Sequence, residues 1–386
     1  MPRKFTTSAP DWKDPIRSLS VQQLTIKTIT PMFGGGAVER EVGESPIRAS
    51  SIRGHLRFWW RATTRLRYSS AEELYQIERN IWGDVENPSP VTLQVEVTKP
   101  GEDVSPDVYR GNARLGPKAG YFLYPFAGSQ NQVEASGRKN VEFVLRVTYQ
   151  SEFPSEPEVR RAIRAWLTVG GIGARTRRGC GAIVCDDNSW LPQSINDTNY
   201  FQSIMPQQES HNHFSSLSGG WVCVGPLVSN SEEAWMNLGS FWSRFRKGHF
   251  TGKRPGYKPM DGCEWSDHRT LKNGVQGSIA LAKPYLGLPI IYQKFDQAFE
   301  GSLTSETTDR MSSPIILRPI KFADGTIRPM IVFLPGRNPT AIRIDGQKVD
   351  LEVPVTDPVL NSLRATHPID AVRMAAIREG FIEVKW

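Results

Sequence analysis

The spacing of apolar and polar residues divides the first half of the chain into strands and helices. Alternating apolar positions predict strands at residues 24–33, 91–98, 120–126, 140–149 and 181–185. Apolar positions with helical spacing, each run beginning at a serine that can cap it, predict helices at residues 51–67 and 155–169. With 120–126 counted as additional strand material, the main order is β, α, β, β, α, β.

The second half repeats this order. Its predicted strands lie at 221–228, 313–322, 327–335 and 340–350, and its predicted helices at 232–247 and 357–379, before a last short strand. This is the order of ferredoxin-like domains, including RNA-recognition modules, in which two helices cover one face of an antiparallel sheet and leave the other free for a ligand. We therefore predict an α+β fold of two tandem ferredoxin-like domains with insertions, at residues 20–186 and 220–386, joined by a polar linker at 187–219.

The composition adds a positive charge to this picture. The formal net charge is +7 and the isoelectric point is about 9.2, which is consistent with a polyanionic partner. The mean hydropathy of −0.40 and the lack of any long apolar run exclude a membrane-spanning segment. Because the polar N-terminus also lacks the apolar core of a signal peptide, we expect a cytoplasmic protein without membrane partners.

Cysteine and histidine spacing gives little indication of a metal site. The four cysteines show no paired C-x-x-C spacing. Cys263 and His268 could offer two zinc ligands on a loop, but ordinary thiols are favoured. We expect neither a metal nor a cofactor.

An arginine recurs every four residues along the first predicted helix. Arg53, Arg57, Arg61 and Arg65 form a stripe beside the core positions, and each step rises about 6 Å, an interval that can follow successive phosphates of one nucleic-acid strand. No acidic residue stands three or four positions away on this helix, which favours an external polyanion over a solvated face. Trp60 lies between stripe and core, where its indole can either pack or offer a stacking surface.

Two glycine-rich loops accompany these helices. Their glycines are Gly34, Gly35, Gly36, Gly171, Gly173, Gly179 and Gly181. The second loop follows a helix and precedes a strand, the reverse of a Rossmann fingerprint, and a helix cap with a tight turn would explain its glycines. Its three arginines, Arg175, Arg177 and Arg178, indicate phosphate binding, and the preceding helix adds Arg164.

These segments resemble a known family. The run "PIRASSIRGHLRFWWRA" (46–62), with "TPMFGGG" before it and "IWG" (81–83) after it, resembles the signature of the first-subunit family of the Cmr complex, the CRISPR type III-B effector. The loop at 171–181 is similar to the glycine-rich loop of the RAMP superfamily, the tandem ferredoxin-like group that includes that family. The resemblance implies a non-catalytic subunit near the 3′ end of the guide RNA, which aids guide and target RNA capture in antiviral defence.

The candidate site follows from the signature helix and the loop. The candidate RNA-binding residues are Arg48, Arg53, Arg57, Trp60, Arg61, Arg65, Arg164, Arg175, Arg177 and Arg178. The expected partners are the guide RNA, single-stranded target RNA and the other Cmr subunits.

Three other functions stay open. Some RAMP relatives cleave guide-RNA precursors with a histidine as general acid or base, so a metal-independent endoribonuclease using His55 is the main alternative. Metal-dependent cleavage by Asp186 and Asp187 is not favoured, because neighbours on a strand point to opposite faces. The third is a structural scaffold with an incidental basic patch, which the salt dependence of RNA binding would separate from an RNA-binding subunit.

Overall fold

The computed structural model describes residues 18–36, 40–43, 46–110, 119–128, 133–150, 153–206, 214–247, 264–274, 277–292 and 299–384. The elements of the first half are β1 (Leu19–Thr28), β2 (Met32–Phe33), α1 (Ala49–Thr63), α2 (Ala71–Trp82), β3 (Thr92–Lys99), β4 (Glu102–Val104), α3 (Asp107–Arg110), α4 (Gly120–Leu123), β5 (Gly137–Lys139), β6 (Glu142–Gln150), α5 (Glu156–Val169), β7 (Ile183–Cys185) and α6 (Thr198–Ser203).

The elements of the second half are β8 (Trp221–Val224), α7 (Ser231–Lys247), α8 (Asp267–Lys272), β9 (Ser278–Ala280), β10 (Ile290–Tyr292), β11 (Gly301–Ser305), β12 (Ile315–Lys321), β13 (Ile327–Phe333), β14 (Ala341–Ile344), β15 (Gln347–Glu352), α9 (Pro358–Leu363), α10 (Pro368–Arg378) and β16 (Ile382–Val384). Single 3₁₀ turns lie at Tyr124–Phe126, Thr176–Arg178, Asn188–Trp190 and Lys283–Leu286. No helix of the described residues is long and apolar enough to span a membrane.

Both halves contain the predicted ferredoxin-like arrangement, which is therefore confirmed. In the first unit the antiparallel sheet has the order β3-β6-β1-β7, and α1 and α5 pack on one face of it. In the second unit the order is β12-β13-β8-β16, the same relative order, with α7 and α10 on one face. Each core forms because apolar residues alternate along the strands and recur at helical spacing along the helices.

The second unit carries a further five-stranded sheet with the order β10-β11-β14-β15-β9. Its strands come from two insertions, one before β12 and one after β13. The strand predicted at 340–350 is in fact the β14–β15 hairpin of this sheet. It turns at Asp345 and Gly346, whose φ values of 47° and 89° suit a tight hairpin turn.

Three other sequence predictions are wrong in detail. The helix predicted at 357–379 is two helices, α9 and α10, because Arg364 adopts a left-handed φ of 53° after α9. Residues 120–126 form α4 and a 3₁₀ turn instead of a strand, since a short apolar run does not distinguish the two and Pro125 has no N–H to donate to a sheet. The first helix ends at Thr63 instead of near Arg67, because Thr64 takes an extended ψ of 137° and its Oγ1 donates to Glu158 (3.2 Å).

The segment predicted as a linker packs against the first unit over its described residues, 187–206 and 214–219. Trp190, Phe201 and Leu217 are buried in the core that the two units share. Tyr200 donates a hydrogen bond from its hydroxyl to the carbonyl oxygen of Trp190 (2.6 Å). This segment therefore adds a packed layer to the fold.

In the four-stranded sheet of the second unit, described residues cover both faces. Trp221, Cys223 and Leu317 point to α7 and α10, whereas Val222 and Val332, which point the opposite way, join the core of the first unit. In the first unit the corresponding sheet face carries polar, partly exposed residues along β3 and β6. Among the described residues, this sheet face is therefore accessible in the first unit and covered in the second.

Arg318 stands on the buried face of β12 and is 2% exposed. Its guanidinium donates to the carbonyl oxygens of Leu167 (3.0 Å), Gly170 (2.6 Å) and Ile183 (2.8 Å), which are at the end of α5 and the start of β7. Burial lowers the pKa of Arg318 to about 9, which still leaves the side chain protonated at neutral pH. A cation of the second unit therefore caps the C-terminus of a helix of the first.

We expect Arg318→Met to lower the free energy of unfolding by about 3 kcal/mol, because three buried carbonyl groups lose their donor. Urea unfolding followed by tryptophan fluorescence measures this change. The matched control is Arg328→Met on β13, which removes one hydrogen bond from a partly exposed side chain to the carbonyl oxygen of Gly225 and should cost less than about 1 kcal/mol. Equal, small effects for both variants would contradict the capping role.

Candidate nucleic-acid interface

The arginine stripe of α1 faces α2, and its first member binds main-chain carbonyl groups there. Arg53 donates to the carbonyl oxygens of Trp82 and Val91, both at 3.1 Å, where α2 ends and the chain turns toward β3. Burial, and secondarily the neighbouring Arg57, lower the pKa of Arg53. The side chain therefore holds the end of α2 in place.

The next two arginines share one carboxylate. Arg57 Nε and Arg61 Nη1 lie 2.6 and 2.7 Å from Oε1 of Glu78, whose side chain is only 4% exposed. Arg57 also donates to the carbonyl oxygen of Gly83 (3.2 Å). The inference that the stripe lacks acidic partners is therefore wrong, because the partner comes from α2 and not from the same helix. Both arginines remain partly exposed, at 27% and 31%.

The last arginine of the stripe contacts α6. Arg65 donates to the carbonyl oxygens of Gln202 (2.6 Å) and Met205 (3.0 Å). Arg164 of α5 donates to Ser203 Oγ (3.0 Å) and lies 5.3 Å from the ring centroid of Tyr200. These two candidate RNA-binding residues therefore anchor the segment that was predicted to be a linker.

Trp60 has no exposed surface. Its indole packs in the core between α1, α5 and the sheet. The prediction that Trp60 offers a stacking surface to a base is therefore wrong, and the packing alternative holds.

The two glycine-rich loops lie against each other. A Cβ atom on Gly34 would be 3.2 Å from the Cβ of Ala174, and one on Gly35 would be 3.3 Å from the Cα of Gly173. The amide of Ala174 donates to the carbonyl oxygen of Phe33 (2.7 Å). With φ values of 60° and 96°, Gly34 and Gly35 also adopt a backbone conformation that side chains disfavour, so glycine is needed for this contact.

The second loop also contacts the second unit. A Cβ atom on Gly179 would be 2.6 Å from the carbonyl oxygen of Leu317 on β12. Gly36, Gly171 and Gly181 likewise pack against main-chain atoms. The predicted loop glycines therefore permit close packing, and the loop lies between the two units.

The loop arginines point in different directions. Arg177 donates to the carbonyl oxygen of Ser313 and lies 5.7 Å from the ring of Phe58 on α1. Arg178 donates to the carbonyl oxygen of Ile315 (2.8 Å) on the side of α7. Burial lowers the pKa of Arg177 to about 10 and, together with nearby arginines, that of Arg178 to about 9.

A small crevice opens where α1 begins and the two loops meet. Its volume is about 90 Å³, and it is lined by Gly35, Pro46, Ile47, Arg48, Ser51, Ile52, His55, Ile172 and Gly173. Arg48 is exposed and donates to the carbonyl oxygen of Gly35 (2.7 Å). The first turn of α1 has no acidic residue and no side-chain cap, so its positive end is not neutralised locally.

His55 is half-buried at this crevice. Its ring lies nearly parallel to that of Trp166, with the centroids 6.4 Å apart. Burial lowers the pKa of His55 below its usual value, so the imidazole is neutral at neutral pH. Of the described residues that line the crevice, none is a carboxylate, a lysine, a tyrosine or a second histidine.

Sequence reasoning missed one feature of this surface. Gly54 lies on the exposed side of α1, and no described atom beyond its chain neighbours and its own helix backbone is within 4 Å of the place where its Cβ would be. A glycine inside a helix lowers helix stability, and no packing within the described residues requires it here. The sequence shows a glycine at position 54, but it does not show that the space beside this glycine is open.

The comparisons with known proteins agree with this geometry. The RAMP superfamily model matches residues 25–184, the first βαββαβ unit. The whole chain is similar to the crystal structure of Cmr1 from Pyrococcus furiosus in its apo form, with a TM-score of 0.57 and 14% identity over 95% of this chain and 98% of that chain.

Two other solved structures are more distant. A type III-B Cmr-beta complex bound to cognate target RNA matches with a TM-score of 0.46 and 11% identity, covering 93% of this chain and 100% of that chain. Cmr6 from Pyrococcus furiosus has a TM-score of 0.25 and 12% identity, covering 44% of this chain and 99% of that chain. No curated protein matches the chain in sequence.

We expect Glu78→Gln to lower the free energy of unfolding by about 2 kcal/mol, because Arg57 and Arg61 lose the buried carboxylate that they share. Thermal and urea unfolding measure the loss. Glu72→Gln, an exposed position on the same helix, is the control and should be nearly neutral. If Glu78→Gln were equally neutral, the ion pairs would not hold α2 against α1.

Proposed function

We propose that this chain is an RNA-binding, non-catalytic subunit of a type III-B CRISPR effector, because residues 25–184 match the RAMP superfamily model and the fold is similar to that of Cmr1. It acts in the cytoplasm near the 3′ end of the guide RNA and helps to capture guide and target RNA. Its partners are these RNAs and the other subunits of the complex.

The crevice at the start of α1 is the observation that carries this proposal. An exposed arginine, a serine hydroxyl and the uncapped first turn of a helix meet there, and the two glycine segments bring main-chain groups close. These are the groups that bind phosphate in proteins, because amide N–H groups and a guanidinium complement its charge and its oxygens. Arg48 is therefore the leading candidate for a phosphate contact.

The exposed side of α1 extends this surface. Gly54 lets a strand approach the helix backbone closely, and Arg53 and Arg57 flank it in the sequence. Although these two arginines bind α2, a guanidinium has five N–H donors, and only two are used by each. The stripe therefore supports the proposal mainly because it adds positive electrostatic potential to this surface. Its arginines are not a row of unpaired cations.

The non-catalytic part of the proposal is supported by the surroundings of His55. A neutral imidazole can accept a proton from a ribose 2′-hydroxyl, but RNA cleavage also needs a donor to the leaving oxygen. Among the described lining residues, no ordinary acid is available for that step. We therefore assign His55 a packing role beside Trp166.

We expect the purified chain to bind labelled single-stranded RNA with an affinity that falls steeply with salt, and Arg48→Ala to weaken binding about three- to tenfold and reduce the salt slope by about one. Filter binding across a salt series measures both. Arg343→Ala, an exposed arginine on β14, is the control and should leave both unchanged. Wild-type affinity in a folded Arg48→Ala variant would remove the crevice from the site.

The same reactions, analysed on denaturing gels, test the nuclease alternative. We expect no cut products with the wild-type chain and no change with His55→Ala. Products that disappear in His55→Ala but persist in Arg343→Ala would make this chain an endoribonuclease.

We expect Gly54→Ala to separate stability from RNA binding. The added methyl group favours the helix, so the free energy of unfolding should rise by up to about 1 kcal/mol. RNA affinity should fall severalfold, because the strand can no longer approach the helix backbone as closely. Thermal unfolding and filter binding measure the two effects, and a more stable variant with unchanged RNA affinity would show that RNA does not cross α1 at this point.

A further inference from the structure

The N-terminal half of β1 has a neighbouring strand on one side only, within the described part of the chain. β1 pairs with β6 along its whole length. On its other side it pairs with β7 only over residues 26–28, and the amide of Asp186 adds one hydrogen bond to the carbonyl oxygen of Thr25 (2.9 Å). The chain then leaves the sheet through the 3₁₀ turn Asn188–Trp190. We call the uncovered residues, 19–23, the free edge of β1.

The main-chain groups of the free edge alternate in direction. In an antiparallel sheet, successive residues of a strand direct their N–H and C=O groups to opposite neighbours. Thr28 donates its N–H to the carbonyl oxygen of Val141, next to β6 (2.9 Å), so the even-numbered residues of β1 bond to β6. The odd-numbered residues Leu19, Val21 and Gln23 therefore direct these groups outward, where no hydrogen bond of the described residues uses them.

Two large apolar side chains of the free edge are exposed. Leu19 and Val21 are each 60% exposed, and they point with Gln23 to the open face of the sheet, because the even-numbered residues of β1 point to the core. The free edge contains no charged residue. An exposed, uncharged and apolar strand edge favours pairing with another strand, and natural proteins usually protect such edges.

The strand at the opposite side of the same sheet is protected. β3 has a register shift between Val97 and Lys99, and the exposed side chains of Glu96 and Lys99 place charges along it. A bulge and charged side chains are the usual means of preventing an edge strand from pairing with another chain. Because β3 has these features and the free edge of β1 lacks them, the free edge is best explained as a binding surface.

The chemistry of the free edge fits an extended polypeptide. Its outward residues present N–H donors and C=O acceptors in alternation, with one such pair about every 7 Å along the strand. The main chain of another strand supplies matching acceptors and donors at the same interval. Phosphate oxygens of a nucleic acid could accept from the N–H groups, but they could not donate to the carbonyl oxygens. A protein strand therefore satisfies both kinds of group.

A segment of another protein fits the free edge better than a second copy of this chain. A strand of this length is only about 17 Å long, so pairing over it covers much less than the area of about 800 Å² that each partner buries in a stable interface. The net charge of +7 on each copy also opposes self-association. A segment of a neighbouring subunit has neither difficulty, because other contacts in a complex already hold that subunit near β1.

We propose that the free edge of β1 binds an extended segment of another protein subunit, which becomes an additional strand of the first sheet. The segment continues the row that β7 begins, with apolar side chains beside Leu19 and Val21 and a polar side chain beside Gln23. This inference rests on the proposed function, since it needs a multi-subunit complex. The contact shares no residue with the crevice at Arg48.

Hydrogen exchange of the full chain, alone and assembled with guide RNA and the other subunits of a type III-B complex, tests this proposal. We expect the outward amides of the free edge to exchange at least tenfold more slowly in the complex, because strand pairing protects them from water. Guide RNA alone should not slow their exchange. The isolated chain should sediment as a monomer.

Variants at the two sides of the sheet locate the contact. We expect Val21→Lys to weaken incorporation into the complex about tenfold, because the added strand loses an apolar neighbour and meets a charge. Thr92→Lys places the same charge on the open face of β3 and should leave incorporation unchanged. Val21→Pro is the second variant, since it removes an outward N–H without removing a hydrogen bond to β6.

Failure of this inference is distinct from failure of the proposed function. A chain that assembles while the free-edge amides still exchange fast contradicts only the inference, as does a Thr92→Lys variant that loses as much incorporation as Val21→Lys. Protection by guide RNA alone would assign the edge to RNA, and protection that accompanies dimerisation would assign it to a second copy, so either result overturns the proposal. A chain that does not join the complex contradicts both.

Discussion

The rest of the structure depends on the buried guanidinium of Arg318. It caps α5 of the first unit from within the sheet of the second, so the end of that helix and the glycine loop that follows it are held against β12. Gly179 completes the contact, since a Cβ there would be 3.2 Å from the Cα of Arg318. Ile172 and Gly173 of this loop line the crevice at Arg48, so the geometry of the crevice depends on the same helix cap.

The same chemistry recurs within the first unit and its packed linker segment. Arg53 and Arg65, like Arg318, bind main-chain carbonyl oxygens at the ends of short elements. Guanidinium groups suit this task because several donors in one plane can satisfy carbonyl groups that a helix leaves unpaired. An arginine-rich helix therefore does not by itself indicate how many of its cations face a ligand. In this protein the stripe mainly organises α2 and α6, and the exposed Arg48 lies outside it.

The sequence was sufficient for the order of elements in both units, because alternating and helical spacing survive in the strands and helices of each core. It did not reveal Glu78 as the partner of Arg57 and Arg61, because no helix was predicted over residues 71–82 and the packing of α2 against α1 was therefore not foreseen. The burial of Trp60 was likewise not predictable, because its position between stripe and core allows either packing or exposure.

The five-stranded sheet of the second unit makes two separate insertions depend on each other. Its strands come from two insertions separated in the sequence by β12 and β13, and the pairing of Leu303 with Ile344 joins them. Deletion of either insertion would leave the other as a short hairpin with an open edge and an exposed apolar face. The two insertions therefore stabilise each other, and a change in the length of one strand must be matched by its partner from the other insertion.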